Sequence, residues 1–199
     1  DTMSHRGPDS AGLWLDDGKT SGLAHRRLSI IDLSKEAAQP MANEDGTLML
    51  IFNGEIYNFA ALREDLINKG HRFRSRSDTE VLIHLYEEDG YGCIDRIRGM
   101  FAFLLYDTKK KKLFVGRDRL GEKPLYYAFA GPAFICASEL KAIAEYPGFR
   151  RKINYAALSD YLVYGYIPAP KTIWEGAHKL MPGHYMVVEA DTLKSDMRR

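Results

Sequence analysis

Apolar residues fall in short runs at 11–15, 23–31 and 48–52, each bounded by Gly, Asp or Asn, a pattern that predicts strands. Asp17-Gly18 between the first two predicts a hairpin. A second group at 100–106, 113–116, 125–129 and 133–137 has turn residues between its members and no long crossover helices, so antiparallel sheet is expected. Between the two groups the apolar spacing becomes helical. One helix opens at Asn58, with Leu62, Leu66 and Ile67 on one face and Gly70 past its end. Another opens at Ser77-Asp78-Thr79-Glu80, a capping box leading into Val81, Leu82, Leu85 and Tyr86. Shorter helices are expected near Ser138 and Tyr155. The stretch 165–182, with Pro168, Pro170 and Pro182, reads as a loop leading to a last strand at 184–189. Strands in blocks and helices in blocks predict an α+β fold with helices packed on sheet faces.

Composition narrows the function classes. The 199 residues are 45% hydrophobic, enough to bury a core, and most simply form one domain. Lys plus Arg and Asp plus Glu number 28 and 27, so no global field favours nucleic acid or an anionic membrane. The one charge run, 109–112, reads as a solvated hairpin tip, because no aromatic residues interleave with it. No apolar stretch approaches the roughly 20 residues of a spanning helix, and a cytoplasmic setting is expected. Cys93 and Cys136 make neither a metal spacing nor a disulfide framework, and no metal cluster stands out elsewhere. Both are expected as reduced, buried thiols.

Four polar groups recur at strand ends or helix starts: Arg27, Asn53 with Gly54 and Glu55, Asp78, and Arg117-Asp118. An arginine offers a planar fork for a carboxylate, an aspartate can hold an ammonium, and an asparagine beside a glycine amide offers two donors to a developing oxyanion. Those are the needs of an amino-acid amide substrate. Each group also has a plainer reading. Alternation in 23–31 could put Arg27 on a solvent face, Asn53-Gly54 could be a two-residue turn, Asp78 could serve the helix macrodipole, and Arg117-Asp118 could be a surface ion pair.

Six motifs bear on that choice: His5-Arg6-Gly7-Pro8-Asp9, Arg27-Leu28-Ser29-Ile30-Ile31-Asp32, Asn53-Gly54-Glu55-Ile56-Tyr57-Asn58, Ser77-Asp78-Thr79-Glu80, Gly99-Met100-Phe101-Ala102-Phe103, and the run from Gly116-Arg117-Asp118 to Leu125-Tyr126-Tyr127. In order and spacing, over essentially the whole chain, the sequence resembles the glutaminase domain of glutamine-hydrolysing asparagine synthetases. That resemblance implies a class II glutamine amidotransferase domain of the N-terminal-nucleophile hydrolase type, a four-layer αββα sandwich of two mainly antiparallel sheets. It implies a terminal cysteine thiolate that attacks the glutamine side-chain amide and releases ammonia. It further implies Arg27 on the substrate carboxylate, Asp78 and Glu55 on its amino end, the backbone at Leu28 and Ile30 along the pocket, and Asn53 with the Gly54 amide as oxyanion hole.

In that family the cysteine lies at the very N-terminus, within a first strand that would precede Asp1, and neither Cys93 nor Cys136 falls in a matching motif. The expectation is therefore a glutaminase domain over 1–199, lacking its first strand, inactive alone, and either marginally stable or paired with a second copy as a homodimer. Its expected partners are glutamine and a synthetase domain further along the same protein. No cofactor is expected here; ATP and Mg belong to that synthetase domain, which would amidate aspartate. Two alternatives stay open: an amidotransferase serving a sugar or secondary-metabolite acceptor, or a degenerate family member acting as an interaction module.

Overall fold

Apolar residues line both faces of the run from Leu48 to Ile56. From Leu48 onward, even-numbered residues (Leu48, Leu50, Phe52, Ile56) share one core with helices, while Met49 and Ile51 pack into another. A strand with apolar residues on both faces must be covered on both, so it is central to the fold.

The computed structural model describes residues 2–27 and 35–199. Strands β1 (Ser10–Leu15) and β2 (Gly22–Arg27) form the expected hairpin. After them come β3 (Met41–Ala42), β4 (Leu48–Ile56), α1 (Phe59–Asn68), α2 (Asp78–Asp89) and α3 (Cys93–Arg96). Strands β5 (Gly99–Asp107), β6 (Lys112–Arg117), β7 (Tyr126–Ala130) and β8 (Ala133–Ala137) follow, then α4 (Leu140–Ala144), α5 (Tyr155–Tyr164), β9 (Ala177–Lys179), β10 (Tyr185–Glu189) and β11 (Ser195–Arg198). Among the described residues, all strand pairs are antiparallel. Six strands make one sheet in the order β11-β10-β6-β5-β4-β3, and three make another in the order β8-β7-β9.

On one face of the six-stranded sheet, Phe101, Phe103, Leu105 and Phe114 join Leu50, Phe52 and Ile56 against Leu62 and Leu66 of α1 and Val81, Leu82 and Leu85 of α2. On the other face, Ala102, Leu104, Tyr106, Met186 and Val188 meet Leu23 of the hairpin and Tyr127, Phe134 and Cys136 of the smaller sheet. Behind that sheet, Ile143 of α4 packs on Ala128, Ala130 and Ala177. The fold is α+β, as expected.

Several expectations are corrected. Ile67 does not share the buried face of α1; it is half exposed, and Leu62 and Leu66 are the buried anchors of that helix, with Phe59 packed beside them. The capping box at α2 forms by halves. Ser77 accepts from Thr79 N at 3.2 Å, but Glu80 turns back to Arg74 N and Ser75 N, both at 2.7 Å, and braces the preceding loop. The stretch 165–182 contains β9, and 184–189 is not the last strand, since β11 pairs with β10. Cys93 is buried, whereas Cys136 is only partly so. Helix α5 has its C-cap at Gly165, in a left-handed conformation, and exposes Tyr161, Leu162, Val163 and Tyr164.

Candidate functional site

Strand β4 pairs with β5 along its whole length, through Asn53↔Ala102, Gly54↔Phe101 and Ile56↔Gly99. Asn53-Gly54 is therefore no turn but the middle of a central strand. The glycine is required by proximity: a Cβ at Gly54 would meet the Met100 carbonyl and come within 2.7 Å of Phe101 Cα. Because side chains alternate along a strand, Asn53 and Glu55 continue the face of Met49 and Ile51. That face is apolar up to Ile51 and polar from Asn53 on. Opposite Asn53 stands Ala102, whose small side chain leaves room.

Strand β2 crosses this face. Leu23 is buried in the second core, and His25, two residues on, hydrogen-bonds the Phe52 carbonyl. Arg27 shares their side of the strand by the same alternation, so the reading that placed it on a solvent face fails. Arg26, with the opposite parity, donates from Nε to the Gly7 carbonyl at 3.0 Å. Leu28 and Ile30 lie outside the described residues. His25 lines the candidate site; motif reading passed over it, although period-two alternation beside Arg27 would have found it.

Between the hairpin, β8 and the six-stranded sheet runs a cavity of about 600 Å³, lined by Ala24, His25, Asn53, Ala102, Cys136 and Ser138 among others. A second cavity of about 270 Å³ adjoins it, sharing Leu23, Leu104 and Cys136. Together they form a trough along β8. The segment before β1, whose Thr2, Met3 and Arg6 also line the larger cavity, is tied to the residue after Ser138: His5 Nε2 and Arg6 Nη1 lie 2.9 and 3.1 Å from Glu139 Oε1.

Asp78 is buried at the start of α2, and its Oδ2 accepts from Ile56 N at 2.8 Å, fastening the helix to the end of β4. Burial raises its pKa and the Glu55 charge adds to this, while the Ile56 and Thr79 amides and the Ser77 hydroxyl oppose the rise. Asp78 therefore does more than serve the macrodipole, and it lies beside Glu55. Arg117-Asp118 is neither a surface ion pair nor part of this cluster. Buried Asp118 accepts from Phe101 N and from the amides of Leu120, Glu122 and Lys123, and Arg117 donates to the carbonyls of Gly121, Lys123 and Leu180. The pair folds the loop after β6.

Titration sets the charges at the trough. Burial pushes the Cys93 thiol up to about 12 and the Cys136 thiol up as well, so both are protonated at neutral pH and are poor nucleophiles. Burial pushes His25 down to about 4; the Arg27 charge adds to the shift and the Phe52 carbonyl opposes it. Its ring is neutral at pH 7, with Nδ1 buried and without a partner among the described residues. A lowered folded-state pKa means that the unfolded chain takes up the proton first as pH falls. Stability linked to His25 is therefore present above its unfolded value of 6.5 and is lost between there and about 4. The loss should amount to about 2–3 kcal/mol. Urea unfolding at several pH values across that interval should show a shallower slope for His25→Gln than for wild type; parallel slopes would assign the acid sensitivity elsewhere.

Comparison with known proteins adds to this geometry. A family model described as a glutamine amidotransferase domain matches residues 1–198. The chain is 39% identical to asparagine synthetase [glutamine-hydrolyzing] 3 of Bacillus subtilis (strain 168), over 97% of its own length and 31% of that protein. It is 36% identical to amidase chry2 of Gibberella zeae, over 94% of its own length and 27% of that protein. The chain thus spans under a third of the length of these curated relatives. Among solved structures, glutamine phosphoribosylpyrophosphate amidotransferase from B. subtilis superimposes with a TM-score of 0.68 at 23% identity, covering 98% of this chain and 44% of that one. At that identity the likeness concerns the fold.

Proposed function

Because this chain belongs to the glutamine amidotransferase domain family, we propose that it is the glutamine-hydrolysing part of a longer asparagine-synthetase-like protein and releases ammonia for ATP-dependent amidation of aspartate in the cytoplasm. The observation that carries this reading is the polar switch on the inner face of β4, where Asn53 and, from β2, His25 line a cavity of about 600 Å³, with Glu55 and Arg27 next along the same faces of their strands. Asn53 and the Gly54 amide would donate to the oxyanion formed when the amide carbonyl is attacked. Arg27 would hold the substrate carboxylate, with the backbone at Leu28 and Ile30 beside it, and Glu55 and Asp78 would take the ammonium.

The layering of helices, six-stranded sheet, hairpin with three-stranded sheet, and α4 fits the four-layer αββα plan. The trough would suit the first strand of that plan. Strand β8 is an edge of its sheet, and the trough separates it from the hairpin. An extended segment entering there would pair with free backbone groups and carry the cysteine nucleophile to Asn53. The exposed apolar residues of α5 suit cover by the rest of the longer protein, where ATP and Mg would be used.

Arg27→Ala in the longer protein tests the assignment. A carboxylate that loses a charged hydrogen-bond partner loses about 1.5–3 kcal/mol, so glutamine KM should rise roughly 10- to 100-fold while ammonia-dependent synthesis persists. An unchanged glutamine KM would remove Arg27 from the site. The similarity to an amidase favours one second reading, in which the same glutaminase serves an acceptor other than aspartate. Ammonia-dependent turnover with a panel of carboxylic-acid acceptors separates the two.

A further inference from the structure

On the far side of the six-stranded sheet from the trough, the turn after α1 brings His71 against α2. Its Nδ1 lies 3.2 Å from His84 Nδ1 and 3.4 Å from Glu87 Oε2, and His84 Nδ1 lies 2.9 Å from the same oxygen. Three lone-pair atoms thus form a nearly equilateral triangle. As a hydrogen-bonded group this is poorly matched, because two ring nitrogens and a carboxylate converge where one proton is shared. As one face of a tetrahedron it matches well: a zinc ion with bonds of about 2.0–2.1 Å spaces its ligand atoms about 3.3 Å apart.

The surroundings also have the form of a metal site. Ligating histidines usually present the other ring nitrogen to a carboxylate, which fixes the tautomer that leaves the first nitrogen free. His71 Nε2 lies 3.1 Å from Glu88 Oε1. His84 Nε2, buried and without a hydrogen-bond partner among the described residues, points to Glu80 Oε1 at 3.9 Å. Asn43 Nδ2 donates to Glu87 Oε1 at 2.9 Å, leaving Oε2 for the shared point. Phe73 packs edge-on to the His84 ring, with centroids 4.6 Å apart. His84 is buried, whereas His71 and Glu87 keep partial access to solvent, so a fourth ligand position could hold water.

We propose that His71 Nδ1, His84 Nδ1 and Glu87 Oε2 form a binding site for a divalent transition-metal ion, zinc fitting best, which clips the turn after α1 to the middle of α2. Nitrogen ligands with a single carboxylate select zinc and its neighbours over magnesium or calcium. None of the three residues lines the trough, so the role is structural rather than catalytic. A proton competes for the site: burial disfavours it on His84, but Glu80 and Glu87 outweigh that and raise His84 to about 9.

The test is a titration of EDTA-stripped protein with zinc alone, and separately with cobalt. Wild type should bind one more equivalent of zinc than Glu87→Gln or His71→Asn, show the intense visible bands of tetrahedral cobalt, and melt at higher temperature with zinc. Each ligand variant should lose roughly 100-fold or more in affinity, and Glu88→Gln, which removes only the outer partner, about 10- to 100-fold. His71 and Glu87 are only partly buried, so these variants should still fold, and their circular dichroism checks it. Identical titrations for wild type and folded variants, or a wild-type melting temperature indifferent to zinc, would overturn the site and leave a proton-bridged network.

Discussion

Asn53→Ala in the longer protein should lower kcat for glutamine hydrolysis by about 10²–10³-fold and leave glutamine KM nearly unchanged. Asn53 sits in the cavity wall opposite Ala102, so truncating it removes a donor without opening a sealed core. Its amide would act chiefly on the charge that develops as the carbonyl is attacked, and this would separate the effect from that of Arg27, proposed to hold the substrate before reaction. The ammonia-dependent synthesis proposed for the longer protein, which would bypass the glutaminase, would serve as the internal control. Turnover within a factor of a few of wild type would mean that the polar switch on β4 serves packing and not chemistry.

Gly54→Ala should do its damage before any chemistry. The new methyl group would press on the Met100 carbonyl and on Phe101 Cα, both main-chain atoms at the centre of the sheet, which cannot rotate away as a side-chain tip could. Separating β4 from β5 enough to admit it should cost about 3 kcal/mol or more, lowering the melting temperature by roughly 6 °C or more for a chain of this size. Gly92→Ala is the matched control, since a Cβ there meets nothing within 4 Å and the backbone needs no left-handed conformation. Equal melting temperatures for the two variants would show that the seam yields easily.

Much of the fold was legible because it rests on local chemistry. The bounds of β8, the hairpin at Asp17-Gly18 and the serine cap of α2 follow from alternation and turn or cap residues. The candidate site was named mainly through motif order. Local chemistry pointed the wrong way at Asn53-Gly54, a standard turn signal that the pairing with β5 overrides. Arg117-Asp118 was misread because Asp118 gathers the amides of Leu120, Glu122 and Lys123 in a local turn that no standard turn signal marks, together with Phe101 N from the neighbouring strand. Glu80 left its capping role for a similar local partner, the Arg74 and Ser75 amides of the loop just before its helix. His71 is hidden more deeply. His84 and Glu87 stand three apart on one helix face, but their partner arrives from a turn thirteen residues before His84.

The close approach at Gly54 and Gly99 bears on how the chain finds its alignment. A slip of β4 against β5 by one residue would turn every side chain to the wrong face, and hydrophobic patterning rejects it. A slip by two residues keeps all the faces correct, so patterning is blind to it. It would set Phe52 or Ile56 opposite Phe101 in place of Gly54, where no Cβ fits against the neighbouring backbone. The glycine at 99, whose own Cβ would meet the Glu55 carbonyl, applies the same veto from the other strand. Two residues without side chains thus act as a key that admits a single register, and with it a single position for Asn53 relative to β2.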